Sequence, residues 1–194
     1  MSHDTSKQNQ SRQNLSNYHE IWLFGYGSLI YKVDFPFLDK QKAVINGWQR
    51  KFWQGSHDHR GTPERPGRVL TLIESPGSEC MGMAYRVTEE VFEHLNIREK
   101  NGYLRHEIEC RLLDSHNQIT KIVKGLIYIA SPENAAYLGP LPESDIAEHI
   151  ARSEGPSGKN SEYLLLLAEA LRNLGAHDEH VFTIENHLND IIDR

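Results

Sequence analysis

Ile21-Trp22-Leu23-Phe24-Gly25-Tyr26-Gly27-Ser28-Leu29 is the stretch on which the fold turns. Four consecutive apolar residues, short and rich in aromatic and β-branched types, predict a buried strand running into a glycine turn. Outward from it, Ala43–Gln54 carries Ile45, Trp48, Phe52 and Trp53 and predicts a second strand, with Gly47 marking a bend or bulge. Gly55–Gly67 holds Gly, Pro, His and Arg but nothing to bury, and a loop this long in a compact domain is usually functional or disordered. Arg68–Glu74 and Glu79–Val87 predict two strands around the turn Ser75-Pro76-Gly77-Ser78. Thr88-Glu89-Glu90 predicts a capped helix start, and Asn101-Gly102 its end.

His106–Leu113, alternating Ile108, Cys110 and Leu112 on one face, and Ile119–Ala130 predict two more strands, with Asp114–Gln118 as the hairpin loop. Beyond Pro132–Pro142 the pattern turns helical over Ser144–Ser153, Asn160–Leu174 and Asp178–Ile192. On the middle helix Tyr163, Leu167, Leu171 and Leu174 form an apolar stripe. Strands in the first two-thirds and helices in the last third imply an α+β fold, whose short strands, mostly linked by hairpins, are able to close into a small barrel.

The chain has 194 residues, 38% of them hydrophobic, and its mean hydropathy is −0.59. Residues 1–19 hold only Met1, Leu15 and Tyr18 from the hydrophobic set and read as a disordered polar head, because too little can be buried to offset ordering. Residues 20–194 then form a single globular domain. A net charge of −6 argues against a nucleic-acid backbone as partner. No run reaches the ~18 apolar residues of a membrane span, and no signal peptide is visible. Cys80 and Cys110 are too few for a disulfide framework and lack metal-ligand spacing, so the expected setting is cytoplasmic.

Three features point to chemistry. The Gly25–Leu29 turn is able to aim backbone N–H groups at a carboxylate or an oxyanion, although such a pair taken alone is more often an ordinary strand-to-turn glycine pair. It lacks the Gly-Lys-Ser/Thr of a phosphate loop and the third glycine of a dinucleotide fingerprint. Glu99 continues the Phe92–Leu95 stripe into the last helical turn. Burial and the helix dipole both raise its pKa there, toward the range of a general acid–base; the competing reading pairs it with Arg98 or Lys100. Arg60, within His57-Asp58-His59-Arg60, is a candidate bidentate partner for a substrate carboxylate, whereas that histidine pair and His177-x-x-His180 read as solvated rather than metal-binding. No serine or cysteine nucleophile has a supporting context.

Taken together, Phe24-Gly25-Tyr26-Gly27-Ser28-Leu29-Ile30, Phe52-Trp53-Gln54-Gly55-Ser56, Asp58-His59-Arg60-Gly61-Thr62-Pro63 and Pro66-Gly67-Arg68-Val69 resemble the ChaC-like γ-glutamylcyclotransferases. Arg98-Glu99-Lys100-Asn101-Gly102-Tyr103, Tyr137-Leu138-Gly139-Pro140 and Gly155-Pro156-Ser157-Gly158 continue the match in order. Asn101, where the family more often has glycine, is a small departure that a left-handed helix cap tolerates.

The resemblance implies a small mixed β-barrel flanked by helices, residues 20–194 being a single catalytic domain, that acts as a carbon–nitrogen lyase of the amidine-lyase class. It would be independent of metal and cofactor, and would cyclise the γ-glutamyl group of glutathione to 5-oxoproline with release of cysteinylglycine. It also implies Glu99 as the catalytic residue and the Tyr26–Leu29 turn, with Phe24 and Gly25, as the γ-glutamyl subsite. Arg60 and Tyr103 are expected to hold the substrate's carboxylates or the leaving dipeptide. The alternatives are a cyclotransferase for other γ-glutamyl amides and a non-catalytic binding or regulatory protein on the same scaffold.

Overall fold

All five residues of β1 (Ile21–Gly25) are buried, as an apolar run without alternation requires when both its faces are covered. The computed structural model describes residues 4–193, and residues 1–3 and Arg194 lie outside the described residues. Four further strands, β2 (Asp39–Ser56), β3 (Gly67–Val87), β4 (Leu104–Leu113) and β5 (Ile119–Ile129), close with β1 into a barrel ordered β1-β3-β2-β4-β5. Its pairings are antiparallel except β1 with β5, which makes the barrel mixed. Trp22, Ala43, Ala84, Cys110 and Ile127, one from each strand, share a single buried cluster that fills the barrel. The alternate positions Leu23, Tyr85, Leu126 and Tyr128 face outward onto α2 (Val91–Arg98). Burying Phe92 and Leu95 there contributes roughly 1.5–3 kcal/mol each.

The C-terminal third is helical, with α3 (Glu143–Ala151), α4 (Asn160–Leu174) and α5 (Glu179–Ile192). Every member of the expected α4 stripe is buried. A two-residue hairpin, Glu154–Gly155 with Gly158–Lys159, joins α3 to α4. No helix among the described residues is long and apolar enough to cross a membrane.

Four expectations need correction. Arg68–Glu74 and Glu79–Val87 do not pair with one another: both pair with β2, so they are halves of the single strand β3. Ser75–Ser78 is a bulge opposite Gly47, and the left-handed φ of +80° at Gly47 and +86° at Gly77 lets both strands kink together. Helix α2 starts at Val91, three residues after Thr88, with no side-chain cap. His180 is buried rather than solvated. A register shift in β2 between Lys51 and Gln54 frees the Phe52 N–H, which donates to His180 Nε2 at 3.0 Å.

The fourth correction concerns the polar head. Residues 4–19 lie folded against the domain, with a short helix α1 (Ser6–Gln10) and Leu15 in the core beside α2. The physical reason is a free strand edge. β2 covers β4 only at Arg111–Leu113, leaving the start of β4 in need of partners. Thr5 Oγ1 and Asn9 Nδ2 donate to Tyr103 O at 2.7 and 2.9 Å, and Asn9 Oδ1 accepts from Arg105 N at 2.8 Å. Hydrogen bonding, rather than apolar area, orders this segment.

Candidate active site

The glycine turn follows directly from the strand that sets it. Past Gly25 the chain folds back into a short 3₁₀ turn, Ser28–Ile30, so closely that a Cβ on Gly25 would meet Leu29 Cβ at 2.6 Å. Ile30 N–H donates to Gly27 O and Tyr31 N–H to Ser28 O, which leaves the N–H groups of Ser28 and Leu29 ahead of the first bonded donor. Ser28 and Leu29 line an inner pocket of about 60 Å³, together with Phe24, Tyr26 and Tyr103. Tyr26 donates to Tyr128 O at 2.8 Å and Tyr103 to Leu70 O at 2.5 Å, so both rings are held by main-chain carbonyls. Burial pushes both phenols well above their ordinary value, which keeps them neutral.

Glu99 is the residue just past the last turn of α2 and forms part of this pocket. It also lines a second, outer cleft of about 190 Å³, with Tyr31, Asp58, His59, Arg60 and Ser157. Its side chain is only 18% exposed. Burial raises its pKa above the usual carboxylate value; Arg98 pulls it back, and Asp34 and Asp58 push it further up. Arg98 Nε lies 3.3 Å from Glu99 Oε1, but its other nitrogens bond Asp34 and, at 3.1 Å, Ser28 Oγ. The arginine thereby links the carboxyl to the glycine turn instead of neutralising it alone.

Arg60 is buried at the outer cleft. Its Nη1 donates to Lys159 O at 2.9 Å and Glu162 Oε2 at 2.7 Å, and its guanidinium sits 5.9 Å from the Tyr163 ring centroid. The polar Gly55–Gly67 loop is held in place by Arg60 N–H donating to Ser56 Oγ, and by Ser157 N–H of the connecting hairpin donating to His59 O, both at 2.9 Å. The Pro132–Pro142 segment packs along β2, away from the cleft. Its Leu138 and Gly139 N–H groups bond Trp53 O, and Ala136 O accepts from Gly55 N–H. Cys80 and Cys110 are buried and free, their thiols pushed up to about 11 and about 12 by burial.

The sequence and the barrel fold are matched by known proteins. The profile of the family described as ChaC-like protein matches residues 21–191. The chain belongs to the ChaC-like family. It is 43% identical over 180 residues to Gamma-glutamylcyclotransferase 2-3 of Arabidopsis thaliana, covering 89% of this chain and 90% of that protein. It is 41% identical over 172 residues to Glutathione-specific gamma-glutamylcyclotransferase 1 of Homo sapiens, covering 84% and 76%. A crystal structure of the yeast γ-glutamylcyclotransferase specific to glutathione superposes with a TM-score of 0.79 at 34% identity, over 88% of this chain and 96% of that one.

Within this ChaC-like fold all the candidate residues converge. Phe24 to Leu29 line the inner pocket, Arg60 the outer cleft, and Glu99 and Tyr103 both. Sequence reasoning missed Tyr163, which also lines both cavities, because an aromatic on a helical stripe looks the same whether it packs or lines a pocket. It also missed Tyr31 and Asp58, although Asp58 lay inside a quoted motif.

Proposed function

We propose that this chain is a glutathione-specific γ-glutamylcyclotransferase in which Glu99 moves the protons. The observation that carries the reading is a buried carboxyl of raised pKa at the junction of a glycine-turn pocket and an outer cleft. The γ-glutamyl end occupies the inner pocket and the cysteinylglycine part the outer cleft. The names of the relatives at 41% and 34% identity support glutathione as substrate.

The α-amine of the substrate attacks its own γ-carbonyl carbon, so the nucleophile is already tethered and the site has mainly to fold the chain into the reactive conformer. Glu99 takes the proton from the α-ammonium and delivers it to the leaving nitrogen as the C–N bond breaks. That role contributes typically ~10²–10⁴-fold. N–H groups of the Ser28–Leu29 turn stabilise the oxyanion or clamp the α-carboxylate. Arg60 and Tyr103 hold the substrate's carboxylates or the leaving dipeptide. No water enters the reaction, which makes it a lyase-type cyclisation. The reaction is assigned to the cytosol, a setting supported by two buried free thiols; the partner is a small charged peptide.

The test is to incubate the protein with glutathione, γ-glutamylalanine and γ-glutamyl-lysine and to assay 5-oxoproline. Release from glutathione alone is expected. Release from the amino-acid derivatives instead would move the substrate class, and release from none would remove the catalytic reading.

A further inference from the structure

This inference rests on the cyclotransferase reading above. Among the described residues, two polar atoms of residues lining the outer cleft are buried without a hydrogen-bond partner: Asp58 Oδ1 and the Tyr31 hydroxyl. Two of the three lysines and arginines lining the cleft, its arginines, are engaged elsewhere. Arg60 Nη1 holds Glu162 and Lys159 O, and Arg98 spans Asp34, Ser28 and Glu99. The basic side chain beside Asp58 is His59, at a long 3.9 Å from the other carboxylate oxygen. Asp58 Oδ1 is itself closed to the cleft, but the side chain is 32% exposed, so its other oxygen faces the cleft with only that long contact and is placed to accept from a ligand.

Asp58 lines the outer cleft but not the inner pocket, whereas Glu99 lines both. The Asp58 carboxylate therefore sits on the side through which the leaving amine departs. In glutathione, the first group beyond the cysteine Cα and carbonyl is the glycine amide N–H. In a γ-glutamyl amino acid a carboxylate oxygen stands at that place. An anionic acceptor attracts the first and repels the second, so one side chain supplies both the favourable contact and the rejection on which specificity depends.

We propose that Asp58 selects a dipeptide leaving group, accepting the glycine N–H of glutathione and excluding γ-glutamyl amino acids by like-charge repulsion.

The experiment measures kcat/KM for glutathione and γ-glutamylcysteine with wild type, Asp58→Asn and Asp58→Ala, each checked by thermal melting. Asparagine keeps the acceptor and removes the charge. Its glutathione activity should fall less than about tenfold while γ-glutamylcysteine activity rises, reducing the discrimination by roughly tenfold or more. Alanine removes both and should lower glutathione turnover further. In wild type, cysteinylglycine should inhibit more strongly than cysteine, a comparison that needs no variant. Equal factors on both substrates in both variants, or equal inhibition by the two products, would overturn the assignment of Asp58 while leaving the cyclisation intact. A wild type that releases no 5-oxoproline from glutathione would instead remove the reading beneath it.

Discussion

Two buried polar clusters sit on the same barrel and differ in one respect. At the start of α5, Arg50 pairs with Asp178 at 3.2 Å and donates to Tyr26 O at 2.6 Å. His180 accepts from Phe52 N–H, so its other ring nitrogen carries the proton and donates to Glu143 at 3.0 Å. Burial lowers the His180 pKa in keeping with that neutral form. At the cleft, by contrast, Glu99 has a raised pKa and the Asp58 and Tyr31 atoms have no hydrogen-bond partner among the described residues. Both clusters have the residue types of an active site. What separates them is satisfaction: the first is fully paired within the chain and ties elements together, and the second leaves polar atoms beside a cleft unpaired.

The sharpest way to break this contrast is Arg50→Met. The change leaves Asp178 nearly buried and unpaired, and the expected loss is about 3–5 kcal/mol in urea unfolding. A loss no larger than that of an exposed pair, below about 1 kcal/mol, would erase the distinction. Asn9→Ala probes a satisfied group that abuts the cleft through Tyr103. Its buried amide bonds Tyr103 O and Arg105 N, and its removal should cost about 1–3 kcal/mol without changing the KM for glutathione. A wild-type melting temperature would contradict an ordered head. Arg60→Ala lies between the two classes, since Arg60 is paired and also lines the cleft. Its partner Glu162 is 56% exposed, so stability should change by less than about 1 kcal/mol while KM rises several-fold. An unchanged KM would count against a role in substrate binding.

The same contrast explains what was legible in the amino-acid order. The position of Glu99 at the buried end of α2 and the glycine turn after β1 were legible because helix periodicity and glycine chemistry are local, while the roles expected of them came from the family resemblance. β1 and α4 were readable for the same reason. The bulge at Ser75–Ser78 was mistaken for a turn because Ser-Pro-Gly-Ser suits both; only its pairing with β2 across from Gly47 distinguishes them. The head was misjudged because its order comes from hydrogen bonds to the free edge of β4, some ninety residues away. The links from Arg98 to Asp34 and Ser28 are likewise long-range, and so is the missing partner of Asp58.

Glu99 also makes the cleft destabilising in a pH-dependent way. A carboxyl whose folded pKa lies above its unfolded value of 4.5 favours the folded state when protonated. That stability is fully present below 4.5 and is lost as pH rises through the folded pKa. Glu99→Gln should therefore melt higher than wild type at neutral pH, with the gap closing toward acid. In wild type, the acid limb of kcat/KM should fall above 4.5, because Glu99 must be ionised to accept the first proton. A gap independent of pH would mean that the carboxyl is not held at a raised pKa.

The central claim is that this one carboxyl performs the proton transfers, and turnover in Glu99→Gln tests it most directly. With glutathione binding followed by calorimetry and 5-oxoproline by direct assay, the variant should bind substrate while kcat falls by roughly 10²–10⁴-fold. A kcat within a few-fold of wild type would contradict the account.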